Sequence, residues 1–113
     1  MFGQFNSSPS PTFQNLQPAK FAQGVRKPGA VLLDVRRPDE FALGHLPGAT
    51  NIEVTHPDFT QRVAALDKTQ PTYLYCRSGA RSAAAAKQLG LAGFEHVFNL
   101  IGGVMDWPEP LVR

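Results

Sequence analysis

The chain has 113 residues, enough for one hydrophobic core and too few for two. Hydrophobic residues at 42% and charged residues at 18% describe an ordinary globular protein, and no apolar run reaches the length of a membrane span. The net charge is only +2, with no basic stripe interleaved with aromatics, so neither nucleic acid nor a membrane is expected as a partner.

Residues 1–11, MFGQFNSSPSP, lack the basic-then-apolar pattern of a secretory signal and read as a flexible segment ahead of a domain over residues 12–113. A single cysteine rules out an internal disulfide framework, and the cytoplasm is the default compartment. Thr12 to Leu16 suits a first, edge strand. Pro18 is placed to open a helix carrying Phe21, Ala22 and Val25 before a turn at Gly29. The apolar run Val31-Leu32-Leu33, ending in Asp34, predicts a strand buried on both faces. Pro38-Asp39-Glu40-Phe41 opens a second helix with acids near its positive end.

Gly44 to Ala49 is a turn, and Asn51-Ile52 a brief third strand. Phe59, Val63 and Leu66 share one face of a helix over 59–66. Thr72 to Tyr75 forms the next strand, aromatic and apolar, with Pro71 starting it. A loop, Cys76-Arg77-Ser78-Gly79-Ala80-Arg81, leads into a helix over Ser82 to Leu89, capped by Ser82 and stopped by Gly90. Gly93 turns the chain into a fifth strand near His96 to Leu100. Gly102-Gly103 then leads to a short helix around Val104 to Trp107. Strands alternating with helices imply parallel pairing through right-handed crossovers, hence an α/β fold of three layers, α/β/α, with about five strands.

The only cysteine therefore lies where a strand ends and a helix begins. Backbone N–H groups at a helix start lack intrahelical partners, and the dipole adds positive potential there. A loop curling into the helix aims further N–H groups inward as an anion cradle, and Arg77 and Arg81 add charge. A thiolate held there should have a pKa below the free value of about 8.5. A lone cysteine is ordinarily a small buried hydrophobe. Here the strand end, Gly79, both arginines and the following helix agree on a nucleophile.

The CRSGARS loop resembles the active-site loop of single-domain rhodanese-type sulfurtransferases. Further support comes from Leu32-Leu33-Asp34-Val35-Arg36 with Phe41, from Gly44-His45-Leu46-Pro47-Gly48-Ala49 with Asn51, and from Gly102-Gly103 with Trp107. The resemblance runs from about Thr12 to Trp107. It implies a rhodanese-like domain with a five-stranded sheet in the order 1-5-4-2-3. It also implies a persulfide on Cys76, formed from thiosulfate or a persulfide donor and passed to cyanide or a thiol acceptor such as glutathione, thioredoxin or an acceptor protein.

Within that scheme Cys76 is the catalytic nucleophile, and Arg77, Ser78, Gly79, Ala80, Arg81 and Ser82 form the substrate-binding loop. Arg81 has a fork suited to an oxyanion, with a structural ion pair as its alternative. Arg77 reads as a rim charge. Asp34 and Arg36 are expected to brace the site as a pair, with His45 structural and Trp107 in the core. No cofactor is implied, and His56 and His96 lack ligand spacing, so no metal is expected. The chain departs from the family in having Glu53-Val54 where a proline usually follows Asn51-Ile52, and in stopping six residues past Trp107.

Two other readings compete. Tyrosine phosphatases and arsenate reductases also set Cys and Arg around an anion cradle, but with five intervening residues; here there are four, Arg77 to Ala80. A smaller ring favours one sulfur atom over a tetrahedral phosphate. A persulfide carrier or binding module serving a sulfur-relay partner would use the same residues and differ only in its acceptor.

Overall fold

In the computed structural model, which describes residues 12–113, strands and helices alternate through the described residues. The expectation for residues 1–11 falls outside the described residues. The elements are β1 (Gln14–Leu16), α1 (Pro18–Val25), β2 (Val31–Asp34), α2 (Pro38–Leu43) and β3 (Thr50–Asn51). They continue as α3 (Phe59–Ala64), β4 (Thr72–Tyr75), α4 (Ala80–Leu91) and β5 (Val97–Leu100), followed by a 3-10 turn at Gly103–Asp106. Pro18 and Pro38 each take the first helical position, where a missing N–H costs nothing.

All strand pairs are parallel, in the order β1-β5-β4-β2-β3. β4 is thus central, and all four of its residues are buried. Side chains alternate across the sheet. Leu33, Leu74, Cys76 and Val97 join Phe59, Val63, Ala85, Ala86 and Leu89 on the face covered by α3 and α4. On the other face Leu32, Tyr73, Tyr75 and Leu100 pack with Phe21 of α1, and Trp107 closes edge-on against Phe21 at 6.1 Å. Cys76 stands two residues beyond Leu74, on the same face of the sheet, and so faces α4.

The helix after the cysteine differs from the sequence expectation at both ends. It begins at Ala80, with Gly79 rather than Ser82 as N-cap, because Gly79 takes the left-handed conformation at φ 103°. Its stop is not Gly90 but the Ala92-Gly93-Phe94 segment. Phe94 N–H donates to Leu89 O and Gly93 N–H to Gly90 O, each at 3.1 Å, which is a Schellman ending with Leu89 and Phe94 in apolar contact. Gly90 lies inside the helix, where a Cβ would strike the Thr12 carbonyl. Among the described residues no helix is long and apolar enough to cross a membrane.

Candidate active site

The site forms beyond the carboxyl end of β4, the position at which parallel sheets offer a crevice. Cys76 is 1% exposed. Its Sγ receives the N–H of Gly79 at 3.1 Å, the N–H of Ser82 at 3.4 Å and the Ser82 hydroxyl at 3.4 Å. Burial pushes the thiol pKa up, but the Ser82 hydroxyl and the Ser82, Gly79 and Ser78 N–H groups together bring it below its ordinary value. Ser82, the third residue of α4, spends its hydroxyl on this sulfur and on Gly79 O at 3.3 Å. The chain therefore has a fold-built reason for a serine that is not a cap.

The loop holds its shape because its carbonyls are claimed from behind. Val104 N–H donates to Cys76 O at 3.0 Å and Met105 N–H to Arg77 O at 3.1 Å. With those oxygens turned outward to the 3-10 turn, the N–H groups of the loop face inward to the sulfur. Gly103 makes this approach possible: a Cβ there would fall on the carbonyl oxygens of Cys76 and Arg77. Asn99 on β5 adds a longer contact to Gly79 O at 3.4 Å and a firmer one to Asn15 at 2.9 Å.

Arg81 points its fork at Glu40 of α2, with Nη1 to Oε1 at 2.8 Å and Nη2 to Oε2 at 3.0 Å. Glu40 also accepts the Arg37 N–H at 3.1 Å, reaching back over the start of its own helix. The Arg81 guanidinium, against the opposing effect of burial and with help from the Arg37 N–H, holds the Glu40 carboxyl down to about 2. Of the two uses weighed for Arg81, oxyanion contact or ion pair, the structure has the ion pair. Consequently the sulfur owes its lowered pKa to neutral donors more than to the two arginines invoked from sequence. Arg77 is exposed and makes no ion pair among the described residues. Ser78 and Ala80 lie exposed on the loop, supplying backbone.

Asp34 and Arg36 stand at the end of the adjacent β2. Asp34 is fully buried and takes the Arg36 fork at 2.7–3.1 Å, while Arg36 Nη2 also reaches Gly44 O at 2.7 Å. Asn51 bridges the carbonyls of Asp34 and Arg36 at 2.9 Å each, and Arg36 lies 5.7 Å over the Tyr75 ring. The Tyr75 hydroxyl accepts the Leu46 N–H at 3.0 Å, and burial pushes its pKa far up. This network ties the Gly44–Ala49 turn to the central strand. His45 stacks on Phe41 at 3.7 Å and contacts the Phe41 carbonyl at 3.0 Å, away from the sulfur's donors. Glu40 is the site residue that sequence reading missed; its signal was a carboxylate at the third position of a proline-started helix that follows a strand next to β4.

Comparison with known proteins bears on this arrangement. A family model described as the rhodanese-like domain matches residues 17–109. YqhL of Bacillus subtilis, an uncharacterized protein, is 39% identical over 94 residues, covering 83% of this chain and 71% of that protein. The thiosulfate sulfurtransferase GlpE of Stutzerimonas stutzeri is 38% identical over 92 residues, covering 80% of this chain and 81% of its own length. A crystal structure of a rhodanese-related protein from Thermoplasma volcanium superposes with a TM-score of 0.77 at 25% identity, over 88% of this chain and 98% of that one. The solution structure of a polysulfide-sulfur transferase homodimer from Wolinella succinogenes does so with a TM-score of 0.75 at 26% identity, over 89% of this chain and 79% of that one. With the family model matched over most of its length, the chain belongs to the rhodanese-like domain family.

Proposed function

We propose that this protein is a sulfurtransferase that carries a sulfane sulfur on Cys76. The observation that carries the reading is a single thiol, lowered in pKa, at the focus of the Gly79 and Ser82 donors. Its relatives include proteins named as thiosulfate and polysulfide-sulfur transferases, which supports the same chemistry. The Cys76 thiolate attacks the outer sulfur of thiosulfate, and the S–S bond of the donor breaks with its electron pair leaving on sulfite. The terminal sulfur of the resulting persulfide is anionic, and the cradle donors stabilise it as they do the thiolate. Cyanide or a thiolate then attacks that sulfur, and the pair from the persulfide bond returns to Cys76. Cys76 is the only cysteine in the sequence, so the sulfur leaves to an external acceptor.

In this scheme Arg77 at the rim attracts the donor anion, Ser78 to Ser82 form the cradle, and Asp34 and Arg36 brace the wall. Intact mass spectrometry after incubation with thiosulfate tests it. One added sulfur is expected on the wild type, discharged by cyanide as thiocyanate, and none on Cys76→Ser. Absence of the adduct on the wild type, or turnover by the serine variant, overturns the assignment.

A further inference from the structure

A cleft beside the loop is far bigger than the small molecules in the reaction just described. It encloses about 420 Å³ between α2, the 3-10 turn and the C-terminal segment, with Arg77 as one wall. That volume lies in the range of pockets that take ligands of many heavy atoms, whereas thiosulfate has five and cyanide two. The walls are apolar where they stand open. Leu43 is 76% exposed and Met105 64%, with Leu111 beside them. Its charges are committed with one exception. Asp39 pairs with Arg37, Glu40 with Arg81 and Arg36 with Asp34, which leaves Arg77 without an ionic partner among the described residues. The cleft therefore offers uncovered apolar surface next to one unmatched positive charge, immediately after the sulfur-bearing residue.

We infer that this cleft docks a protein acceptor, through a surface segment in which a cysteine is flanked by an apolar and an acidic residue. The apolar residue covers Leu43 and Met105, the acid meets Arg77, and the acceptor thiol faces the Cys76 loop. The inference rests on the sulfurtransferase reading and names the acceptor class for the same site. Deprotonated in solvent, the acceptor thiolate attacks the terminal sulfur of the Cys76 persulfide. The bond between that sulfur and Cys76 Sγ breaks, its electron pair stays on Cys76, and the acceptor leaves as a persulfide. No oxidant or reductant is consumed. Seating also suits reach: the transferred sulfur stands one S–S bond, about 2 Å, beyond the buried Sγ.

Two synthetic peptides of equal length test this, one with its cysteine between Leu and Glu, the other between Ser and Lys. Protein loaded from thiosulfate is discharged by each peptide, by glutathione and by cyanide, in single-turnover rate measurements. Discharge to the acidic, apolar peptide is expected to exceed that to the basic one by about tenfold or more at low salt, and to fall as salt is raised. Leu43→Glu and Met105→Glu change exposed residues and should each remove most of that preference while leaving discharge to cyanide unchanged. Equal rates for the two peptides, glutathione matching the acidic peptide, or a preference that survives both variants overturns the docking site. The same peptides with Ser for Cys, labelled and followed by fluorescence anisotropy, probe the cleft without turnover. Should thiosulfate fail to load the protein, selective binding that both variants abolish still supports the cleft, and equal binding of the two peptides overturns it.

Discussion

Cys76 lies where strand, loop and helix meet, and its sulfur is held by the Ser82 hydroxyl and by the N–H groups of Gly79 and Ser82. Ser82 reads as a cap by residue type, and only the left-handed Gly79 moves the helix start two residues earlier and frees the hydroxyl for the sulfur. Ser82→Ala should therefore raise the Cys76 pKa, since it removes the hydroxyl that donates to the sulfur and favours the thiolate. The rate of iodoacetamide alkylation against pH measures this directly. Arg81→Ala should move the midpoint less than Ser82→Ala, because Glu40 already matches the Arg81 charge. A larger shift from Arg81→Ala would restore the arginine-based account.

At the scale of elements, the boundaries of β2, β4 and β5 follow from apolar runs and the prolines and glycines that end them. The strand order does not. Periodicity allows several orders for five parallel strands, and 1-5-4-2-3 entered through the family resemblance alone. Contacts that depend on the order were hidden for the same reason. Glu40 and Arg81 lie far apart in sequence and meet because β2 is placed beside β4. The approach of the 3-10 turn to the cysteine loop is a similar case, anticipated in outline from Gly102-Gly103. Gly103→Ala should destabilise the protein by about 2 kcal/mol or more, adding a collision with backbone oxygens to left-handed strain. Gly48→Ala is the control. Gly48 has φ 84° with nothing within 4 Å of an added Cβ, so only the strain of about 1–2 kcal/mol applies. Urea unfolding of the two variants separates the terms, and equal losses would mean the turn yields to the methyl group.

Across the whole molecule, the Glu40–Arg81 pair joins the β2–α2 unit to the β4–α4 unit and makes stability depend on acid. The Glu40 carboxyl sits at about 2 in the folded protein, against an ordinary 4.5. A carboxyl depressed in this way adds stability that is fully present above 4.5 and is lost as pH falls towards 2. The slope is expected to be shallower in Glu40→Gln, although Asp39 and Asp67, also lowered, keep it from vanishing. Chemical unfolding of both proteins between pH 6 and pH 3 measures the difference, and identical slopes would remove the pair from this role.

The central strand is hydrogen-bonded to a neighbour on each side and roofed by side chains on both faces. Backbone amides in such a strand exchange with solvent deuterium only when the entire fold opens, whereas loops and frayed ends exchange through small local openings. Cys76 follows directly on Tyr75, the last residue of that strand, and its carbonyl is tied down by Val104. The sulfur is thus moored to the last part of the molecule to come apart. The Cys76 amide is therefore expected to exchange as slowly as those of the strand it follows, later than amides of the exposed Arg77 and Ser78 beside it.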